Sequence, residues 1–357
     1  MNNINNLYDL GWNESLDKEF KAYENNFTVG RVCSEFKNIY KLITLEGEKL
    51  ASVTGKMMYT AQGRADYPAV GDWVLIDKAD SKGERAVIHK ILPRKSKFSR
   101  KTAGAVIEEQ IVAANVDFLF ICMSLNQDFN VRRIERYTTM AWESGAVPIV
   151  ILTKADLCED ASEKVRALEA VTMGIDIKIV SALKDSGIDL IKSYLAAGKT
   201  GAFLGSSGVG KSTLINKLLG YEALETMSVR EDDDKGRHTT THRELFVLPY
   251  GGIVIDTPGM REFQILDAEQ GIDTTFEDIQ ILASQCKFSD CSHGSEPGCA
   301  VKKAIGEGSL SEVRFNNYIK LKKEADYIAR KTDRAAATAY TNQIKSIHKQ
   351  MRKRSKS

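Results

Sequence analysis

Residues 199–219 read KTGAFLGSSGVGKSTLINKLL, with a glycine-rich segment between two apolar runs. Ala202 to Leu204 has the character of a short buried strand. From Lys211 onward, Leu214, Ile215 and Leu218 recur at helical spacing. Between them, Gly205-x-x-x-x-Gly210-Lys211-Ser212 fits the phosphate-loop pattern at every fixed position. Glycines let successive backbone N–H groups turn inward around a phosphate, and a helix N-terminus adds partial positive charge. The expected nucleotide cradle is therefore Gly205, Ser206, Ser207, Gly208, Val209 and Gly210, with Lys211, Ser212 and Thr213 opening the helix. Lys211 is placed to reach the β- and γ-phosphates, and the Ser212 hydroxyl to ligate Mg²⁺.

The stretch sits in a chain of 357 residues, enough for two or three domains. An apolar share of 43% is sufficient for real cores. No apolar run approaches the roughly 18 residues of a membrane span, and the polar start MNNINNLYDLGWNE does not resemble a signal peptide, so a cytoplasmic protein without membrane contact is expected. The net charge of +2 hides an asymmetry. Residues 313–357 carry 13 Lys/Arg against 3 Asp/Glu, which leaves the first 312 residues at −8. A basic tail on an acidic body points to a polyanionic partner.

Residues 1–25 read as a polar arm. Over 26–95, five short β-rich runs separated by glycines predict a small antiparallel barrel without a helix, of OB or SH3-like type; the runs are Thr28–Val32, Tyr40–Leu45, Lys56–Tyr59, Asp72–Ile76 and Ala86–Ile91. Residues 96–114, entered through the basic stretch Arg94–Lys101, read as a linker that is either a solvated connector or an RNA contact. From 115 to 264 strands and helices alternate. Continuous apolar runs at Asp117–Met123 and Val147–Leu152 mark strands covered on both faces, so a doubly wound α/β sheet is expected, with ligands at the carboxyl ends of its strands.

Two further loops fall at such strand ends. Thr153-Lys154-Ala155-Asp156 follows one strand and Ser181-Ala182 another; they resemble the guanine-recognition loops of GTPases. A carboxylate at Asp156 can accept from both guanine N1–H and the 2-amino group, Lys154 can lie along the base plane, and the Ala182 N–H can meet O6. Downstream of the phosphate loop, Asp256-Thr-Pro-Gly259 ends an apolar strand as D-x-x-G. There Asp256 is expected to hold Mg²⁺ through water and the Gly259 N–H to reach the γ-phosphate. Gly236-Arg-His238-Thr-Thr240-Thr241 lies in a polar switch-like segment, with one threonine such as Thr240 a Mg²⁺ ligand. The guanine loops precede the phosphate loop, whereas in an ordinary GTPase they come after it. The domain is therefore circularly permuted, and D-x-x-G becomes its last element, only a few residues from the C-terminal domain.

That C-terminal domain, over 265–357, carries Cys286-x4-Cys291-x-His293-x5-Cys299. Three thiolates and an imidazole complete a tetrahedral shell, which predicts one structural Zn²⁺ per chain rather than disulfides. After Ser309 there is no Gly or Pro, so a mainly helical region with a basic end is expected.

Taken together, TKAD, GSSGVGKST, GRHTTT, DTPG and the C-x4-C-x-H-x5-C finger resemble the RsgA family of small-subunit-dependent GTPases over nearly the whole chain. The resemblance implies an OB-fold-like barrel, a permuted P-loop GTPase domain and a C-terminal zinc domain. It also implies GTP hydrolysis to GDP in late maturation of the 30S ribosomal subunit, contacts with 16S rRNA, and stimulation by that subunit. A monomer is expected. Met260 stands where many GTPases carry a water-orienting Gln, and methionine cannot hydrogen-bond a water into place, so unaided turnover is expected to be slow. The resemblance gives His238 the role of orienting the water.

Overall fold

The computed structural model describes residues 6–78, 85–101, 109–126, 128–225, 243–257, 269–294 and 296–332. The arm is not a loose polar extension. A 3-10 turn at Leu7–Leu10 and helix α1 (Glu14–Phe20), capped by Asn13, bury Leu10, Trp12 and Leu16. Trp12 meets Trp73 of the barrel edge to face at 4.7 Å. Apolar residues too sparse to give a periodic pattern thus anchor the arm to the core.

The barrel strands are β1 (Phe27–Phe36), β2 (Ile39–Thr44), β3 (Gly47–Val53), β4 (Trp73–Asp77) and β5 (Ala86–Ile91). They run in the order β1-β2-β3-β5-β4, and a β1–β4 pairing closes the circle. Every pair is antiparallel except β3 with β5. A parallel pair needs a crossover, which here contains helix α2 (Gly55–Thr60); this is an OB arrangement, not an SH3-like one. Lys56–Tyr59, expected as a strand in a helix-free barrel, therefore lies in α2 instead. The Thr54 hydroxyl caps it by accepting from Met57 N at 3.2 Å. The true third strand, GEKLASV, is too polar to stand out by composition and buries only Ala51 and Val53.

Within residues 96–114 two strands, β6 (Lys97–Lys101) and β7 (Glu109–Ala114), pair antiparallel, with Phe98 buried. The basic side chains entering it are paired internally. Arg94 forks onto Asp72 with both bonds at 2.7 Å, Lys95 meets Asp117 at 2.8 Å, and Lys97 meets Glu109 at 2.9 Å.

The α/β region contains β8 (Phe118–Ser124), α3 (Val131–Ser144), β9 (Val147–Thr153), α4 (Ser162–Glu169), β10 (Ile177–Ile179), α5 (Ile188–Lys192), β11 (Thr200–Leu204), α6 (Lys211–Leu219), β12 (Glu244–Val247) and β13 (Ile253–Asp256). Its order is β10-β9-β8-β11-β13-β12, parallel except for β12. The β11 strand, buried along its whole length, lies inside the sheet and delivers the phosphate loop to its carboxyl edge. A bridge between Ser34 and Glu244 joins this sheet to the barrel. At the same junction Arg31, 1% exposed, donates to the carbonyls of Leu10 and Gly71 and to Thr200 Oγ1, tying arm, barrel and the start of β11 together.

Helices α7 (Glu269–Thr275), α8 (Glu277–Ser284), α9 (Ala300–Gly306) and α10 (Glu312–Thr332) complete the described chain. They dock on α3 through a buried polar knot. Arg314 donates to Glu135 Oε1 at 2.6 Å and forks onto Asp278 at 2.7 and 2.8 Å, while Asn317 donates to Glu135 Oε2 at 2.5 Å. Arg136 and Glu324 form a second, two-bonded pair at 2.7 and 2.9 Å. The basic tail beyond residue 332 lies outside the described residues.

Candidate nucleotide site and metal centre

At the carboxyl end of β11 the chain turns through Gly205, at φ +156°, and Gly210, at φ +104°, the N-cap of α6. A Cβ on Gly205 would stand 2.6 Å from the Cys122 carbonyl oxygen, so no side chain fits there. Ser207 and Gly208 form the exposed crest, Ser206, Ser212 and Thr213 are half-buried, and Val209 packs beneath. Lys211 is 7% exposed, and its ammonium donates to the carbonyls of Gly205 at 2.9 Å and Ser206 at 3.0 Å. Burial lowers its pKa, with the nearby Asp256 pulling the other way. A desolvated cation held inside a ring of backbone groups is suited to a phosphate.

The guanine loops reach this same edge. Thr153 Oγ1 donates to Val209 O at 2.6 Å, a direct bond between the TKAD loop and the phosphate loop. Lys154 takes a left-handed turn at φ +56°, after which Asp156 accepts from Ser181 Oγ at 2.5 Å. That bond fastens TKAD to the Ser181-Ala182 loop; Ala155 N donates to Val180 O at 3.2 Å alongside it. Thr153, Lys154, Asp156, Ser181 and the loop from Gly205 to Lys211 thus form one connected edge, although 28 positions of sequence numbering separate Thr153 from Ser181 and more lie before Gly205.

Asp256 ends β13, in register with Phe203 of β11. It is 2% exposed, and its Oδ2 has no hydrogen-bond partner among the described residues. Burial pushes its carboxyl up to about 6 against the attraction of Lys211. An orphaned, buried carboxylate oxygen next to a phosphate loop fits a cation with its water shell. His238, Thr240, Gly259 and Met260 lie outside the described residues.

Sequence reading missed one contributor to this edge. Asp128, in the loop between β8 and α3, accepts from Ser206 Oγ at 3.0 Å and from Arg133 Nη1 at 2.8 Å. No motif marks it; only the sheet order brings that loop beside the phosphate loop.

The second centre is formed between α8 and α9. Ligand atoms of Cys286, Cys291, His293 and Cys299 all lie within 4.8 Å of one another. Cys286 Sγ is 3.6 Å and Cys299 Sγ 3.5 Å from His293 Nδ1, and the two sulfurs are 3.9 Å apart. Tetrahedral Zn–S and Zn–N bonds of ordinary length require S···N near roughly 3.6 Å and S···S near roughly 3.8 Å. The four residues therefore fit a tetrahedral metal ion, with His293 binding through Nδ1. Cys299 also caps α9, accepting from Lys302 N at 3.4 Å.

Fold and site together define a P-loop nucleotide-binding α/β domain in circularly permuted order, preceded by an OB barrel and succeeded by a helical unit whose Cys/His cluster could hold a metal ion. A family profile described as RsgA GTPase matches residues 91–266, and one described as 50S ribosome-binding GTPase matches residues 200–356, starting at the phosphate-loop strand. The chain is 51% identical over 324 residues to "Small ribosomal subunit biogenesis GTPase RsgA 2" of Lactiplantibacillus plantarum, covering 90% of each. It is 46% identical to "Small ribosomal subunit biogenesis GTPase RsgA 1" of Oceanobacillus iheyensis, covering 91% of this chain and 93% of that one. Among solved structures, YjeQ from Thermotoga maritima aligns with a TM-score of 0.61 at 28% identity, over 84% of this chain and 98% of that one. The fold is also shared with YloQ, titled a circularly permuted GTPase, at a TM-score of 0.58 and 24% identity, over 87% of this chain and 98% of that one. The chain belongs to the RsgA family of GTPases.

Proposed function

We propose that this chain binds GTP with Mg²⁺ at the edge joined by Thr153 and Val209 and hydrolyses it to GDP on the small ribosomal subunit during that particle's assembly. The observation that carries the reading is the 2.6 Å bond from Thr153 Oγ1 to Val209 O, which makes one site of loops that the permuted order separates. Asp156 and the Ala182 N–H select guanine, Lys154 supports the base, and the backbone of Gly205 to Gly210 with Lys211 and Thr213 holds the phosphates. Ser212, Thr240 and Asp256 hold Mg²⁺, which when bound neutralises charge on the β- and γ-phosphate oxygens. Gly259 contacts the γ-phosphate, and His238, as a neutral imidazole, orients the attacking water.

The zinc shell of Cys286, Cys291, His293 and Cys299 has no open position, so its role is structural. It staples a polar segment that buries too little apolar surface to fold alone. Two relatives carry small-subunit biogenesis in their names, which supports the 30S particle and its 16S rRNA as partners. A monomer working in the cytoplasm fits this role, and no helix among the described residues is long and apolar enough to cross a membrane. The test is co-sedimentation with purified 30S and 50S particles under GTP analogue and under GDP. GTP-analogue-dependent pelleting with 30S is expected; equal pelleting with both particles, or preference for 50S, overturns the reading.

A further inference from the structure

Half-buried Glu296 lies in the loop that carries His293 and Cys299, yet it is not among the four residues whose donor atoms converge. Both of its oxygens are turned inward onto the two residues that flank His293. Oε1 accepts from the Ser292 backbone N–H at 3.1 Å and from the Ser292 hydroxyl, and Oε2 accepts from the Gly294 N–H at 2.7 Å. His293 between them has φ +59°, a left-handed conformation that a residue with a Cβ adopts at a cost. That turn directs Nδ1 towards Cys286 and Cys299, at 3.6 and 3.5 Å. The edge-to-face contact with Phe315, at 6.0 Å, meets the ring only.

We propose that Glu296 is the positioning residue of the metal centre: it clamps the backbone on both sides of His293 and holds that residue in the turn that aims Nδ1 at the ion. The inference rests on the reading of the four-residue cluster as a zinc shell. Glu296 acts through hydrogen bonds rather than as a ligand, since its oxygens are not among the donor atoms that lie within 4.8 Å of one another. A carboxylate suits the task because it is acceptor-only and presents two oxygens, matching two N–H donors two residues apart. A glutamine presents one oxygen and one N–H₂ group, so it satisfies one flank and leaves the other without an acceptor. Loss of such outer-shell support typically weakens metal affinity by roughly 10- to 100-fold.

The test uses the full chain as wild type, Glu296→Ala and Glu296→Gln, stripped of metal and refilled. Zinc affinity is measured by competition with a chromophoric chelator, and the Co²⁺-loaded proteins are compared by their visible d–d absorption. Expected is roughly 10- to 100-fold weaker zinc binding in Glu296→Ala, a smaller loss in Glu296→Gln, and altered Co²⁺ bands reflecting a displaced imidazole. Zinc affinity of Glu296→Ala within twofold of wild type, with unchanged Co²⁺ bands, overturns the proposal. Should Glu296→Ala give no folded chain, Glu296→Gln decides by the same two measurements. A wild-type chain that binds neither metal overturns the zinc reading itself, which is a distinct outcome.

Discussion

Removing Arg314 should loosen the C-terminal helices from the α/β domain by an amount that the buried knot allows to be worked out. Arg314 is 5% exposed and Glu135 2%, and the pair is joined at 2.6 Å. Taking away one partner of a buried pair costs about 3–5 kcal/mol, because the other charge stays buried without its counter-ion. Two features place Arg314→Met at the lower end. Asn317 still donates to Glu135, and Asp278, with a quarter of its side chain exposed, can turn to water. A loss of ~3 kcal/mol corresponds to about 150-fold more frequent opening. Hydrogen exchange of α10 amides, as the ratio of variant to wild type, should therefore rise about a hundredfold.

The pH dependence of that ratio gives an independent check. Burial already raises the Glu135 carboxyl pKa, against the pull of Arg314 and Asn317, and loss of Arg314 raises it further. A carboxyl raised by folding holds its proton more tightly in the native state than in the unfolded chain. The stability it contributes when protonated is fully present below the unfolded value of about 4.3 and is lost as pH rises through the folded one. The deficit of Arg314→Met should shrink toward acid pH and be largest near neutrality. A ratio below about fivefold at neutral pH, or one that grows on acidification, would refute the account of the knot.

Two further outcomes concern the nucleotide site. Thr153→Val keeps the shape of the side chain but removes the donor to Val209, and a net hydrogen bond of about 1 kcal/mol predicts roughly fivefold weaker GTP binding by titration calorimetry; unchanged affinity would mean that the strut does not hold the two loops in register. His238→Ala should retain GTP affinity and lose most 30S-stimulated hydrolysis in a phosphate-release assay, and full stimulated turnover in that variant would remove His238 from the mechanism.

The motifs that read most clearly in the sequence are those whose chemistry needs fixed backbone geometry over a few consecutive residues. Gly205 to Ser212 could be placed because glycine conformations and a helix start constrain every position, and the cysteine spacing was legible because metal ligands must converge. The α/β strands were visible as apolar runs, since a sheet covered on both faces leaves no polar alternation. The barrel was legible as a barrel but not in detail. Its third strand lacks a β-branched run, and a capped turn of Met57 and Met58 mimics one. Residues whose role depends on distant partners were hidden. Arg31, Asp128, Arg314 and Glu296 look like ordinary surface charges until the topology places acceptors or donors around them. Trp12 likewise gave no hint that the arm is core.

On this reading the loops around Asp156 and Lys211 serve a single guanine nucleotide in spite of their exchanged order along the chain. Replacing Asp156 by asparagine tests it most directly, because an amide donates where the carboxylate accepts, and xanthine carries an acceptor where guanine carries its amino group. In competition binding, Asp156→Asn should lose affinity for GDP and gain it for xanthosine diphosphate, and the further change Lys211→Ala should weaken both. A variant that still prefers GDP to the xanthosine nucleotide would contradict the claim.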